Sequence, residues 1–264
     1  MWRLWRFIFG LSFMAPLLAW RSDWLFRRTV ALPIRQITGQ LPSLSIIVPA
    51  RNEEKTLGRL LSSLNSICYP GSWEVIVVDD DSSDGTAQVA ADYGARILQL
   101  GALPPGWLGK PRACHEGAGV AEGDWLLFCD ADTIHHPAGP ASALTYALDH
   151  QLDGISLLPR QETSGLLDSL SLMVAFTGLF SGLDPNHTTI NGQFILIDRQ
   201  AYEQSGGFAA VKDQSLEDVA YGSRLKAMRF RVPILRGEQA VQVQMYRDLR
   251  SLRQGLMRLG ADSL

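Results

Sequence analysis

The chain has 264 residues, 46% of them hydrophobic and 19% charged, with a net charge of −3. That length holds one large domain, or one domain with a membrane appendage, and the charge gives no basic signature for nucleic acid as a partner. The three scattered cysteines, Cys68, Cys114 and Cys129, make no CxxC or zinc spacing, so buried, reduced thiols of a cytosolic domain are expected.

The N-terminus differs from the rest. Residues 7–20 are uncharged and mostly apolar, with Arg3 and Arg6 before them and Arg21, Arg27 and Arg28 after. Trp2, Trp5, Trp20 and Trp24 gather at the ends of the run, as aromatic residues do at a membrane interface. The run is shorter than the ~20 residues a spanning helix needs, and Pro16 would kink it. Residues 1–28 are therefore expected to attach the chain to a membrane, either as a short span or as a helix lying in the interface. Residues 29–42, with Pro33, Gly39 and Pro42, read as a linker.

From residue 44 onward strands alternate with helices. Apolar runs at 44–48, 75–78, 95–100 and 125–129 read as strands, and Leu57, Leu60, Leu61, Leu64 and Ile67 recur at helical spacing. Continuous apolar runs suit strands covered on both faces, and the alternation predicts a doubly wound, mostly parallel α/β sheet. The second half is less regular. Residues 154–158 and 194–197 read as strands, 219–228 as a helix after an acidic turn, 241–246 as an exposed strand, and 247–264 as a basic helical tail. Residues 166–183 carry a single charge, Asp168. They suit a core helix or a membrane-facing one.

Polar residues gather where the apolar runs stop. The first strand ends in Val48-Pro49-Ala50-Arg51-Asn52-Glu53-Glu54, the second in Asp79-Asp80-Asp81-Ser82-Ser83-Asp84-Gly85-Thr86, and the fourth in Asp130-Ala131-Asp132. The C-terminal edge of a parallel sheet is where open α/β folds bind ligands. Two carboxylates one residue apart suit a shared divalent cation, since hard cations take oxygen ligands. Three adjacent acids repel one another, so Asp79 to Asp81 call for a cation or a donor-rich ligand nearby. Lys110 lies in a Gly/Pro-rich loop before a helix at 112–120 and suits a diphosphate. No GxGxxG follows an early strand and no P-loop motif exists. His115, His135 and His136 read as surface or supporting residues rather than ligands, because imidazole favours metals other than the magnesium class. Trp107, Trp125 and Tyr221 read as packing residues.

Taken in order, these motifs resemble the inverting glycosyltransferases of family 2, which have the GT-A fold. The matching pieces are Val48 to Glu53, Val77 to Thr86, Gly109-Lys110-Pro111-Arg112-Ala113, Asp130-Ala131-Asp132 and Glu217-Asp218, with Asn191-Gly192-Gln193-Phe194 through Gly206-Gly207-Phe208 before the last pair. The resemblance implies a GT-A domain over residues 43–246. It implies that Pro49, Arg51, Glu53, Asp79, Asp80, Lys110, Asp130 and Ala131 bind the nucleotide diphosphate sugar, a UDP-sugar by preference. Asp130 and Asp132 hold Mg²⁺ or Mn²⁺ in this reading, and Asp218 is the general base. Glu217, Arg250 and Arg253 fall on the acceptor side, although Arg250-Ser251-Leu252-Arg253-Gln254 lacks the tryptophan many relatives carry there. The Pro104-Pro105-Gly106-Trp107-Leu108-Gly109-Lys110-Pro111 phrasing is similar to bacterial members that glycosylate hopanoid, carotenoid or sphingoid-type lipids. A lipid acceptor, a membrane partner and a catalytic domain on the cytoplasmic face of the cell membrane follow. A polyprenyl phosphate or polysaccharide acceptor, and a nucleotide-sugar-binding protein without turnover, are the alternatives.

Overall fold

A computed structural model describes residues 20–162 and 190–243, apart from Ser22 and Leu25. Residues 31–162 and 190–243 belong to one compact unit, and the described residues before them belong to another. The described residues between Trp20 and Arg28 are helical, with Arg27 paired to Asp23 at 2.7 Å and Arg28 over the Trp24 ring. No helix among the described residues is long and apolar enough to cross a membrane. Apart from Trp20, the apolar run at 7–20 lies outside the described residues, as do 166–183 and 247–264.

The main unit is built on a seven-stranded sheet. Its elements in chain order are β1 (Leu44–Ala50), α1 (Leu57–Leu64), β2 (Trp73–Asp80), α2 (Thr86–Asp92), β3 (Arg96–Leu100), α3 (Gly109–Val120), β4 (Trp125–Cys129), β5 (Thr133–His135), α4 (Gly139–Asp149), β6 (Gly154–Leu158), β7 (Arg160–Gln161), β8 (Phe194–Asp198), α5 (Arg199–Gln204), a 3₁₀ turn (Gly207–Val211), α6 (Glu217–Ala227), β9 (Ile234–Arg236) and β10 (Val241–Val243). The large sheet runs β3-β2-β1-β4-β8-β6-β9, and a small one runs β5-β10-β7. β8 is antiparallel to both neighbours, and the other pairings of the large sheet are parallel. The expected mostly parallel α/β sheet is therefore present.

Both faces of the sheet are covered, which is why its central strands are mostly apolar. One core joins Val48, Leu127 and Leu196 to Leu57, Leu60, Ala90 and Leu144 from α1, α2 and α4. The other joins Ile47, Val78 and Phe128 to Ala113, Tyr202, Phe208 and Tyr221 from α3, α5, the 3₁₀ turn and α6. Gly117 lets α3 lie close: a Cβ there would meet Ile47 Cγ2 at 2.6 Å and Val78 Cγ2 at 2.8 Å.

Several expectations change at the level of single elements. Residues 31–42 form no helix, yet they are laid along the unit. Leu32 and Leu41 are buried, Leu32 N–H bonds to the Arg236 carbonyl, and Arg35 exchanges two bonds with the Ser142 hydroxyl. Strand β10, expected to be exposed, buries Val241 and Val243 because it is the middle strand of the small sheet. Cys114 and Cys129 are buried free thiols, as expected, but Cys68 is exposed. Trp125 and Tyr221 are core residues, as expected, the Tyr221 hydroxyl meeting that of Ser205.

Candidate active site

Strand order places the site. β1 pairs with β2 along its whole length, to Ala50, but pairs with β4 only as far as Ile47. Beyond that register the two strands part. Chain order also reverses at this pair, since β2 and β3 lie to one side of β1 and β4 lies to the other. Open α/β sheets bind ligands at such a switch point, beyond the carboxyl ends of the strands. Arg51 and Glu53 follow β1, Asp80 closes β2, and Asp130 and Asp132 follow β4.

The loops after β1 and β2 are sewn together. Asn52 N–H donates to Ser82 Oγ, Ser83 N–H donates to Asn52 Oδ1, Glu53 N–H donates to Thr86 Oγ1 and Gly85 N–H donates to Glu54 Oε2. Asn52 and Asp81 take positive φ, 57° and 60°, a region that asparagine and aspartate enter more readily than bulkier residues. Asp84, which reads as part of an acid cluster, takes N–H groups from Thr86 and Glu54 and serves the loop itself. Pro49 is half-buried opposite Val78.

Two acids of the second strand end find partners within the protein. Asp79 accepts the Ser82 N–H at 3.1 Å. Asp80 lies 3.8 Å from Nη1 of Arg51 by one oxygen and 3.8 Å from Nη1 of Arg112 by the other. It also presses on the start of α3, where a Cβ on Gly109 would meet its Oδ2 at 2.4 Å. Mutual repulsion among Asp79, Asp80 and Asp81 therefore does not by itself require a bound cation. Asp79 and Asp80 are buried and separately partnered, and Asp81 is exposed.

The fourth strand end behaves differently. Lys110 Nζ, on the first turn of α3, bonds Asp130 Oδ1 at 2.7 Å and Glu217 Oε1 at 3.0 Å. Partial burial works against its charge, but the two carboxylates outweigh that and hold the ammonium well above the usual lysine range. Asp132 is pushed up to about 7, first by burial, then by the charges of Asp130 and Glu53, with Lys110 opposing. Its Oδ1 is buried and has no hydrogen-bond partner among the described residues. Burial also raises Glu217, against the pull of Lys110. Ala131 turns its methyl into the core, so only its backbone faces the acidic turn.

Asp218, next to Glu217 at the start of α6, is held through its backbone neighbours. Gly192 N–H donates to Oδ2 at 2.9 Å and Val219 N–H donates to Oδ1 at 2.8 Å. A Cβ on Gly192 would stand 3.1 Å from Lys110 Nζ and 3.3 Å from Asp218 Oδ2. Lys110 and Asp218 thus flank one glycine, and Lys110 holds Asp130 and Glu217 on its own ammonium. Two participants carry no role in the sequence reading. Gly192 appears there only as part of a family phrase, and Arg112 only as the start of a helix and within another such phrase. Arg250 and Arg253 lie outside the described residues.

The donor set suits a hard divalent cation. Asp130 and Asp132 offer carboxylate oxygens, one of them a buried acceptor with nothing bonded to it among the described residues. Such ions are commonly held by one or two carboxylates together with substrate phosphates. Among the described residues no group of three or more His, Cys, Asp or Glu is arranged to hold a metal, so a cation here needs oxygens from a ligand. The histidines stand apart. His135 is buried, not at the surface as a polar strand residue suggests, and burial lowers it to about 4. Its Nε2 meets Thr133 Oγ1, which donates to the Asp130 carbonyl. His136 is exposed, and His115 stacks on Trp107 at 5.2 Å.

Comparison with known proteins identifies the family. The sequence profile of glycosyl transferase family 2 matches residues 45–206, and the chain belongs to that family. A 4,4'-diaponeurosporenoate glycosyltransferase of Staphylococcus aureus is 30% identical over 242 residues, 88% of this chain and 64% of that protein. The chain thus spans just under two thirds of that relative's length. Among solved structures, a mannosyltransferase of Pyrobaculum calidifontis in complex with GDP-Man and Mn²⁺ superposes with a TM-score of 0.67 at 20% identity, over 94% of this chain and 69% of that one. TarS of Staphylococcus aureus with UDP-GlcNAc gives 0.58 at 21% identity, over 79% and 60%. Glucosyl-3-phosphoglycerate synthase of Mycobacterium tuberculosis, with Mn²⁺, UDP and its product, gives 0.55 at 20% identity, over 88% and 87%. At these identities the structures speak to the fold, which is GT-A-like.

Proposed function

We propose that this chain transfers a sugar from a nucleotide diphosphate sugar, a UDP-sugar by preference, to a hydroxyl of a lipid, with inversion at the anomeric carbon. One observation carries the reading: Lys110 ties Asp130 to Glu217 while Gly192 seats Asp218 beside them, so an acid pair and a separately held carboxylate share one sheet edge. Pro49, Arg51, Glu53, Asp79 and Asp80 line the nucleotide side. Asp130 and Asp132 would hold Mg²⁺ or Mn²⁺ together with the diphosphate, and Lys110 adds a positive charge beside them. A cation bound there supplies Lewis-acid stabilisation of the charge left on the departing nucleoside diphosphate.

Asp218 takes the proton from the acceptor hydroxyl. Each of its oxygens accepts one backbone N–H, and a carboxylate has about four lone-pair sites, so both oxygens keep capacity for that proton. The backbone bonds fix the carboxylate's direction, which in-line attack requires. Glu217, bonded to Lys110, is occupied with charge balance and supports rather than performs the proton transfer. Arg250 and Arg253 belong to the acceptor side.

The lipid acceptor is supported by the relative whose name specifies a carotenoid acid and by the Trp- and Arg-flanked residues 1–28. In this proposal those residues attach the chain to the cytoplasmic face of the cell membrane, where nucleotide sugars are available. The test is a donor screen with UDP- and GDP-sugars and membrane lipid extract, read by mass spectrometry, beside flotation on liposomes. Asp218→Asn should lower turnover by about 10²–10⁴-fold, the usual worth of a general base, while nucleotide affinity persists. Lost nucleotide affinity with retained turnover would remove Asp218 from the role. A chain that ignores liposomes and glycosylates only a water-soluble acceptor would refute the lipid reading.

A further inference from the structure

Arg112 stands two residues beyond Lys110 on the first turn of α3, and its side chain is 10% exposed. Its Nη1 gives hydrogen bonds to two successive carbonyls, Gly101 at 2.8 Å and Ala102 at 3.1 Å, and lies 3.8 Å from Asp80 Oδ1. The two carbonyls open the loop that follows β3 and leads to Lys110. Residues 101–106 of that loop are exposed, and its far end is held by Leu108 N–H on the Lys212 carbonyl at 2.8 Å. One guanidinium thus joins the end of β2 to the near end of the loop. The same helical turn presses Gly109 on Asp80 and sends Lys110 to Asp130 and Glu217.

Docking of α3 does not call for this arrangement. Ala113, Cys114, Gly117 and Ala118 already pack the helix on Ile47 and Val78. A buried ion pair adds little net stability over well-packed apolar side chains, because taking two charges out of water costs as much as their attraction returns. Arg112 Nε is moreover buried with no hydrogen-bond partner among the described residues. The guanidinium is expensive where it sits, and what it achieves is the fixing of Asp80 against the loop. All three contacts come from the one nitrogen Nη1, which stands one bond farther along its side chain than a lysine ammonium does, so a lysine falls short of them.

We infer that Arg112 is a positioning residue for the nucleotide. It holds the Asp80 carboxylate and the loop at 101–108 in one arrangement before the donor arrives, so binding does not have to order them. The inference rests on the nucleotide-sugar reading given above. It assigns Arg112 no contact with the reacting atoms.

The test uses the full chain with UDP and with GDP, each with MnCl₂, by titration calorimetry, beside hydrogen exchange of the 101–108 peptide and a thermal melt. Arg112→Lys should weaken nucleotide binding by about tenfold, the worth of one or two charge-assisted hydrogen bonds. It should speed exchange at 101–108, and raise KM for the donor far more than it changes kcat. Should the lysine variant melt well below the parent, Arg112→Gln replaces it. Glutamine keeps a polar head but offers Asp80 no charge, and the same losses are expected. A variant that stays folded and binds nucleotide like the parent overturns the positioning role. A parent chain that binds neither UDP nor GDP overturns the nucleotide-sugar reading, and this inference with it.

Discussion

Asp132→Asn should make the metal-free protein more stable while abolishing transfer. The carboxyl is raised from its ordinary 3.8 to about 7, chiefly by burial. Below 3.8 both the folded and the unfolded chain hold the proton, and the residue leaves stability unaffected. Between 3.8 and 7 the unfolded chain releases it and the folded chain does not, so stability falls as pH rises, and it levels off above about 7. At ~1.4 kcal/mol per unit the ceiling of that loss is about 4 kcal/mol. Asparagine keeps the volume and removes the charge, but it buries an amide that must find partners, at a cost of about 1–3 kcal/mol. The expected net gain at pH 8 in EDTA is roughly 1–3 kcal/mol, a rise in Tm of about 3–8 °C for a chain of this size. At pH 4 the gain should vanish or reverse. Mn²⁺ should raise the Tm of the parent and not of the variant. The assay is a thermal melt of both proteins at pH 4, 6 and 8, with EDTA or MnCl₂, beside the transfer assay. An Asp132→Asn chain that melts lower than the parent at pH 8 in EDTA would refute the argument that this carboxylate is stored charge.

Two glycines separate function from stability. Gly192→Ala would bring a methyl to 3.1 Å from Lys110 Nζ and 3.3 Å from Asp218 Oδ2. The displacement is a few tenths of an ångström, and a 1 Å misplacement costs about 10²-fold, so turnover should fall by about tenfold with an unchanged melt; parental turnover would sink the account of how Asp218 is seated. Gly117→Ala would place its methyl 2.6 Å from Ile47 Cγ2 and 2.8 Å from Val78 Cγ2. Overpacking of that kind costs about 1–3 kcal/mol, only partly offset by the ~1 kcal/mol gained in helix propensity, so the urea midpoint should fall while nucleotide affinity holds.

Legibility in the sequence follows the range of the interaction. β1, β2, β4 and β8 are apolar runs because both their faces are covered, and α1 shows itself by a period that its burial enforces. α4 escapes notice: it opens on Gly139-Pro140 and is buried along nearly all its length, so it shows no polar stripe to mark a helix. β5, β7 and β9 are two or three residues long, too short for any alternation to declare itself. The carboxylates at the strand ends are visible as residues, but their partners are not. Nothing in spacing tells that Asp80 meets Arg112, 32 residues on, or that Asp218 takes the N–H of Gly192, 26 residues back. The triple acid illustrates the limit, since repulsion along the chain suggests a missing cation where backbone N–H groups and arginines from other segments already stand.

The small sheet bears on the order in which this molecule is made. β5 begins one residue after Asp132, and its partner among the described residues is β10, with Thr133 opposite Val243. That contact closes a loop of about 110 residues, and the entropy of closure must be met before the pairing returns anything. The ribosome delivers residues 241–243 long after β1 to β4 are available to pair, so the turn carrying Asp132 cannot take its final support until the fold is otherwise nearly complete. Before that point the turn has only its earlier anchors, Thr133 on the Asp130 carbonyl and His135 N–H on Ser63 Oγ. Full support of the turn that carries the two carboxylates is therefore coupled to the pairing of β5 with β10.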